Sequence, residues 1–225
     1  MNNSKYQLPK DGGLVKDFAP KDIIHRYERM ATRVFESEYH GVQYVADMIC
    51  RMVHNHSENA SARDIYEELP PFVLGLTTGK TPLGLYRELV KRHKEGEISF
   101  KHVAVFSLDE FYPIRSTEQQ SRNFRIHDEF LKHIDIQPEN VHIPDGTISE
   151  REVSEYCANY DKSIRKIDLM IIGFGEQGQI GFNEQGSYAK SHTRLVELSH
   201  NSRKSYANLF FGLENTPKMA ITMGI

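Results

Sequence analysis

The chain has 225 residues, 39% of them hydrophobic and 26% charged, which is enough to bury a sizeable core as one large domain or two small ones. A formal net charge of −3 leaves nucleic-acid binding with only local patches such as Lys91-Arg92-His93-Lys94, and that patch reads as the solvated end of a helix. Cys50 and Cys157 have neither a CxxC partner nor metal-type spacing, no run approaches the ~18 apolar residues of a membrane span, and the first residues lack a signal-peptide apolar core. The expectation is a cytoplasmic protein with buried thiols, no metal, and neither a membrane nor a nucleic-acid partner.

Residues 1–20 carry Gly12-Gly13, two prolines and scattered charges without an apolar period, and read as an N-terminal arm ahead of one domain over 21–225. From Asp22 to His54 the apolar positions Val42, Val45, Ala46, Ile49, Met52 and Val53 recur at three- and four-residue steps, which predicts an amphipathic helix, with a polar linker over Asn55 to Ser61. Phe72-Val-Leu-Gly-Leu76 is a short apolar strand, and Pro82 opens a helix carrying Leu83, Leu85, Leu89 and Val90. Strand-like runs recur at Val103–Leu108 and Ile167–Ile172, with helical stretches around Phe124 to Ile134 and Glu150 to Ile164. Apolar strands alternating with helices predict an α/β fold, a largely parallel sheet with helices on both faces. Ligands of such sheets sit beyond the carboxyl ends of the strands. The segments beginning at Thr77, Asp109 and Gly173 are therefore expected to converge on one pocket.

Each of these segments has a chemical and a bland reading. Thr77-Thr-Gly-Lys-Thr81 matches the end of a P-loop, but Gly75 to Gly79 leaves three intervening residues where four are needed. Two Thr hydroxyls, free amides and a helix start suit a single phosphate, and equally an ordinary strand-to-helix turn. Asp109-Glu110 offers a general base if one carboxylate turns away, or a helix cap. Glycines at 173, 175, 178 and 181 imply close approach to a ligand or sharp turns. A dinucleotide site is a poor fit, because Phe182-Asn-Glu184 interrupts the helix that should follow. No cofactor is implied.

Taken in order, Leu74-Gly-Leu-Thr-Thr-Gly-Lys-Thr-Pro82, Phe106-Ser-Leu-Asp-Glu-Phe111, Ser121-Arg-Asn-Phe124, His142-Ile-Pro-Asp-Gly146 and Gly173 through Ser187 resemble the glucosamine-6-phosphate deaminase/isomerase family, over about Tyr39 to Ile225. The resemblance implies a Rossmann-like α/β fold and conversion of glucosamine 6-phosphate to fructose 6-phosphate with loss of ammonia. Matched residue by residue, Thr78, Gly79, Lys80 and Thr81 fall on the substrate-phosphate loop, Lys80 standing where a second glycine is usual. Asp109 falls on the proton-shuttling base at sugar C1/C2, and Glu110 keeps the usual pattern. Active members carry Asp-Gly-His-Ile-(Gly/Ala)-Phe-Asn-Glu in the third motif; here the Asp position is Gln177, the His position is Gln179, and Glu184 remains.

A glutamine amide can hold a sugar hydroxyl and cannot shuttle a proton. General acid–base assistance is worth roughly 10²- to 10⁴-fold, about 3 to 5 kcal/mol of barrier. Asn208 stands where the family supplies a phosphate-binding Arg, with Arg203 or Lys204 as nearby substitutes, and the family's later phosphate-binding Lys has no counterpart up to Ile225. Some long bacterial members, which fuse this domain to another, also lack the Asp-Gly-His signature, and the apolar run Met219–Ile225 predicts that the domain continues into such a longer chain. Two functions follow: an amino-sugar phosphate isomerase/deaminase using Asp109, Glu184, Gln177 and Gln179, or a catalytically weak sugar-phosphate-binding, regulatory domain. A lactonase of the related 6-phosphogluconolactonase group fits less well, since it relies on the missing His and lacks Phe-Asn-Glu. Homo-oligomers occur in the family; Arg194 falls near an allosteric position there, a surface salt bridge being its other reading.

Overall fold

The computed structural model describes residues 32–61 and 70–224. The expected arm over residues 1–20 and the helical stretch 22–31 lie outside them. The first helix, α1, runs Glu38–Ser61. Residues 32–37 are not helical, and the expected linker at its far end is helix instead. Its last turns are held locally: Ser57 donates to the Val53 carbonyl at 3.1 Å, and His54 lies 3.0 Å from Glu58 one turn on. Polar composition concealed this continuation, in which the His56 ring packs edge-on against the buried Phe72.

Four parallel strands form the first sheet: β1 (Phe72–Leu76), β2 (Val103–Ser107), β4 (Val141–His142) and β5 (Leu169–Met170), in the order β4-β2-β1-β5. Helix α2 (Thr81–Lys94) joins β1 to β2, α3 (Arg122–Glu129) lies between β2 and β4, and α4 (Val153–Ser163) precedes β5. The continuous apolar runs of β1 and β2 are explained by burial of both faces. Phe72, Leu74, Leu76, Val103 and Val105 pack with α1, α2 and Ile126 of α3. Ala104 and Phe106 point the other way, against Tyr160 of α4. Gly75 lets the Met170 side chain of β5 lie directly over β1, since a Cβ there would fall 1.8 Å from the Met170 sulfur and push it aside. The strand expected over Ile167–Ile172 shortens to two residues, flanked by the Asp168 N–H to Val73 and Ile171 N–H to Gly75 bonds.

The second sheet was not foreseen. Strand β3 (Asp109–Tyr112) pairs antiparallel with β7 (Met219–Thr222), and β7 with β6 (Arg194–Glu197), in the order β3-β7-β6. Asp-Glu-Phe-Tyr reads as the polar end of the preceding strand, and its true partners lie about a hundred residues away. Leu108 makes the transfer: its N–H donates to the Leu76 carbonyl and its carbonyl accepts from Met223. Helix α5 (His200–Tyr206) follows β6, and Phe111, Ile114, Phe182, Leu198, Phe210 and Ala220 form the core beneath it. Both cysteines are buried free thiols. No helix among the described residues is long and apolar enough to cross a membrane.

Candidate active site

At the carboxyl ends of the parallel strands lies a cavity of about 670 Å3. The three expected segments do converge there, contributing Thr77, Thr78, Gly79 and Thr81 after β1, Asp109 after β2, and Gly173, Phe174, Gly175, Gln179 and Gly181 after β5. The residues before α1, its first two turns, Arg122 and Tyr206 complete the wall.

In the first segment, Pro82 starts α2 without needing an N–H, and the Tyr86 hydroxyl, one turn further on, donates to the Thr77 carbonyl and fixes the turn. Thr78 Oγ1 is buried and has no hydrogen-bond partner among the described residues. Lys80 is exposed, caps nothing with its side chain, and is not part of the cavity wall.

The adjacent carboxylates on β3 divide. Glu110 turns away from the cavity and accepts four hydrogen bonds, from the N–H groups of Phe111 (2.8 Å), Arg122 (2.9 Å) and Asn123 (2.8 Å) and from the Ser121 hydroxyl (2.7 Å). Ser121 in turn caps α3 through the Phe124 N–H. Burial pushes the Glu110 carboxyl above its ordinary range, with those donors pulling it back. Of the two readings of the acidic pair, Glu110 takes the cap, accepting from the first N–H groups of α3.

Asp109 is 2% exposed, faces the cavity, and its Oδ1 accepts no hydrogen bond from the described residues. Burial raises its pKa, opposed by Arg122, whose Nε stands 3.5 Å from Oδ1. The Gly181 turn covers the other oxygen. At a φ of 57° its missing side chain would meet Asp109 Oδ2 at 2.9 Å and Leu108 Cδ2 at 2.8 Å, so only glycine lets the loop come this close.

The remaining third-motif residues are placed differently. Gln179 reaches the cavity wall, but its amide folds back over Gly175 and accepts from the Gln177 N–H at 3.0 Å. Gln177 is exposed and outside the wall. Glu184 accepts from the Ser199 N–H, at 3.1 Å to its nearer oxygen, and so holds the start of α5. The loop is pinned by Asn183, which donates to the carbonyls of Met223 (2.8 Å) and Ile180 (3.1 Å) and accepts from Arg194 (3.0 Å). Arg194 also donates to the Ser187 and Ser191 hydroxyls and the His192 carbonyl. Its partners are neutral oxygens within the loop, so the surface salt bridge gives way to a loop-pinning role.

Asn208 and Lys204 are exposed, and Arg203 donates to the carbonyls of Leu213 and Thr216; none of the three lines the cavity. Two cations do: the exposed Arg33 ahead of α1, and the buried Arg122, which the sequence shows only as part of Ser121-Arg-Asn-Phe124. Arg122 is 4% exposed; its guanidinium lies over the rings of Phe111 (4.7 Å), Phe182 (5.3 Å) and Tyr206 (5.0 Å) and donates to the Tyr206 hydroxyl at 3.0 Å. Among the described residues no group of three or more His, Cys, Asp or Glu side chains is placed to hold a metal ion.

Parallel strands with a turn, a buried acid and a glycine loop around a cavity at their carboxyl ends define an α/β protein. The sequence pattern of the family described as glucosamine-6-phosphate isomerases/6-phosphogluconolactonase matches residues 44–207, and the chain belongs to this family. It is 45% identical over 159 residues to a glucosamine-6-phosphate deaminase of Treponema denticola, covering 69% of this chain and 58% of that one. It is 36% identical over 208 residues to a glucosamine-6-phosphate deaminase-like protein of Bacteroides thetaiotaomicron, covering 91% of this chain but 30% of that one. The chain therefore spans less than two thirds of each of these relatives. Among solved structures, a monomeric glucosamine-6-phosphate deaminase superposes with a TM-score of 0.73 at 32% identity, covering 84% of this chain and 73% of the other. A 6-phosphogluconolactonase from Thermotoga maritima, at 18% identity and a TM-score of 0.55, shares the fold.

Proposed function

We propose that this chain binds an amino-sugar phosphate and acts as a glucosamine-6-phosphate deaminase, releasing ammonia and fructose 6-phosphate. The observation that carries the reading is the convergence on one cavity of the Thr78 turn, whose buried Oγ1 has no hydrogen-bond partner among the described residues, and of the buried Asp109, whose Oδ1 faces Arg122. Buried polar groups are normally paired, so the Thr78 hydroxyl marks where a ligand's polar group belongs. The phosphate lies on the turn of Thr78, Gly79 and Thr81, at the start of α2. Asp109 takes the C2 proton of the open-chain sugar and returns it to C1, while one amine proton passes to the C1 oxygen, which leaves a hydroxymethyl group at C1 and an imine at C2. Addition of water there expels ammonia, so one water is consumed for each ammonia released. These are proton transfers and an addition of water, which require no cofactor. Gln179 contributes a hydrogen bond to a sugar hydroxyl once its amide leaves Gly175.

A second reading is favoured by a specific observation: neither Gln177, Gln179 nor Glu184 presents a titratable group to the cavity. On that reading the domain binds the sugar phosphate within a longer cytoplasmic protein and signals occupancy, turning it over weakly or not at all. Incubation with glucosamine 6-phosphate separates them, with ammonia release and thermal stabilisation measured independently. Ammonia production lost in Asp109→Asn establishes the deaminase. Stabilisation without ammonia excludes it for this substrate, and neither response removes the amino-sugar phosphate as ligand.

A further inference from the structure

A carboxylate buried beside a cavity is a poor base unless something nearby balances its charge and fixes its orientation. The family's motif residues Gln177, Gln179 and Glu184 do neither here. What stands against Asp109 is Arg122. Its Nε is buried and lacks a hydrogen-bond partner, and so is Asp109 Oδ1, 3.5 Å away. The guanidinium cannot move far: three rings stack on it, the Tyr206 hydroxyl accepts from Nη2, and the Arg122 N–H is tied to Glu110. Arg is suited to this place, because a planar, weakly hydrated cation is buried on aromatic faces at lower cost than an ammonium.

We propose that Arg122 is the positioning residue of this site: it supplies the counter-charge to Asp109, holds Oδ1, and leaves Oδ2 under the Gly181 turn. The proposal rests on reading Asp109 as the working acid/base. The other titratable groups around Asp109 are the phenols of Tyr86 on α2, Tyr160 on α4 and Tyr206 on α5, with Glu110 directed the opposite way. Burial pushes the Tyr86 and Tyr160 phenols up, so both are uncharged. Among the described residues Arg122 is the cation that acts on Asp109.

The test follows the Asp109 carboxyl carbon by NMR as pH is varied, in the full chain without ligand. Removing an adjacent Arg is expected to raise a carboxyl midpoint by about 1–3 pH units, and Arg122→Met should show that rise while Arg122→Lys recovers at least half of it. A midpoint unchanged in a folded Arg122→Met protein overturns the proposal, as does a rise that lysine does not reduce. Should the Met variant not fold, the unmodified protein still decides: the Arg122 Nε–H resonance must titrate with the Asp109 midpoint, and a flat signal overturns the pairing. Because the titration needs no turnover, an Arg122-dependent midpoint in a protein that releases no ammonia supports the pairing and counts against the deaminase alone.

Discussion

Glu110→Gln isolates the charge that organises α3 without changing shape. In the native protein Oε1 accepts from the N–H groups of Phe111 and Arg122, while Oε2 accepts from the Ser121 hydroxyl and the Asn123 N–H. A glutamine keeps one acceptor oxygen. With that oxygen at the Oε1 position, the new NH2 meets the Ser121 hydroxyl, which can rotate, and the Asn123 N–H, which cannot. The opposite orientation strands two backbone N–H groups instead of one. The better choice leaves one buried donor unpaired, costing about 1–3 kcal/mol, and weakens two bonds that were charge-assisted. Relief from burying a charge offsets part of this, so the expected net loss is about 2 kcal/mol. For a chain of 225 residues, at roughly 2–4 °C per kcal/mol, the melting temperature should fall by about 4–8 °C. Thermal and urea unfolding at pH 7 measure it. A variant within about 0.5 kcal/mol of the native protein, or more stable, refutes the argument that the four donors require an ionised carboxylate.

Gly181→Ala should cost about 2 kcal/mol, since a non-glycine residue pays roughly 1–2 kcal/mol in the left-handed region and its Cβ would meet Leu108 and Asp109. It should also abolish stabilisation by glucosamine 6-phosphate; normal ligand response would show that the loop can back away. Thr78→Val removes a hydroxyl that has no hydrogen-bond partner among the described residues, so unfolding of the ligand-free protein should be unchanged or delayed while sugar-phosphate affinity falls roughly 3- to 10-fold, the value of about one hydrogen bond. Calorimetric binding checks this, and unaltered affinity places the phosphate elsewhere. In turnover of glucosamine 6-phosphate, kcat/KM should fall as pH drops through the Asp109 titration, because the protonated acid is no base. Burial raises that titration, so the acid limb should lie above the ordinary carboxylate range; a limb at or below it contradicts Asp109 as the base.

The parallel sheet was legible because β1 and β2 are buried on both faces and therefore read as unbroken apolar runs. Convergence of the segments at Thr77, Asp109 and Gly173 followed from strand direction alone. The antiparallel sheet was hidden, since β3 begins with two charged residues whose burial depends on partners distant in sequence: Thr222 opposite Asp109, and Arg122 beside it. Spacing likewise cannot show which way a side chain turns. Lys80 faces solvent although it sits between two cavity residues, and Gln177 and Gln179 hydrogen-bond to each other across the loop. Arg122 was overlooked because sequence alone gives a helical arginine no sign of the three rings that bury it.

Thr222 pairs with both Asp109 and Arg194, so β7 is the element that joins the acid to the loop-pinning arginine. Contacts across so long a stretch of chain are slow to form. During synthesis, β1, α2 and β2 can assemble as soon as they emerge, while the strand bearing Asp109 must wait, unpaired, until residues 219–222 leave the ribosome. The turn at Thr77–Thr81 can therefore be built early, while Asp109 takes its paired place last.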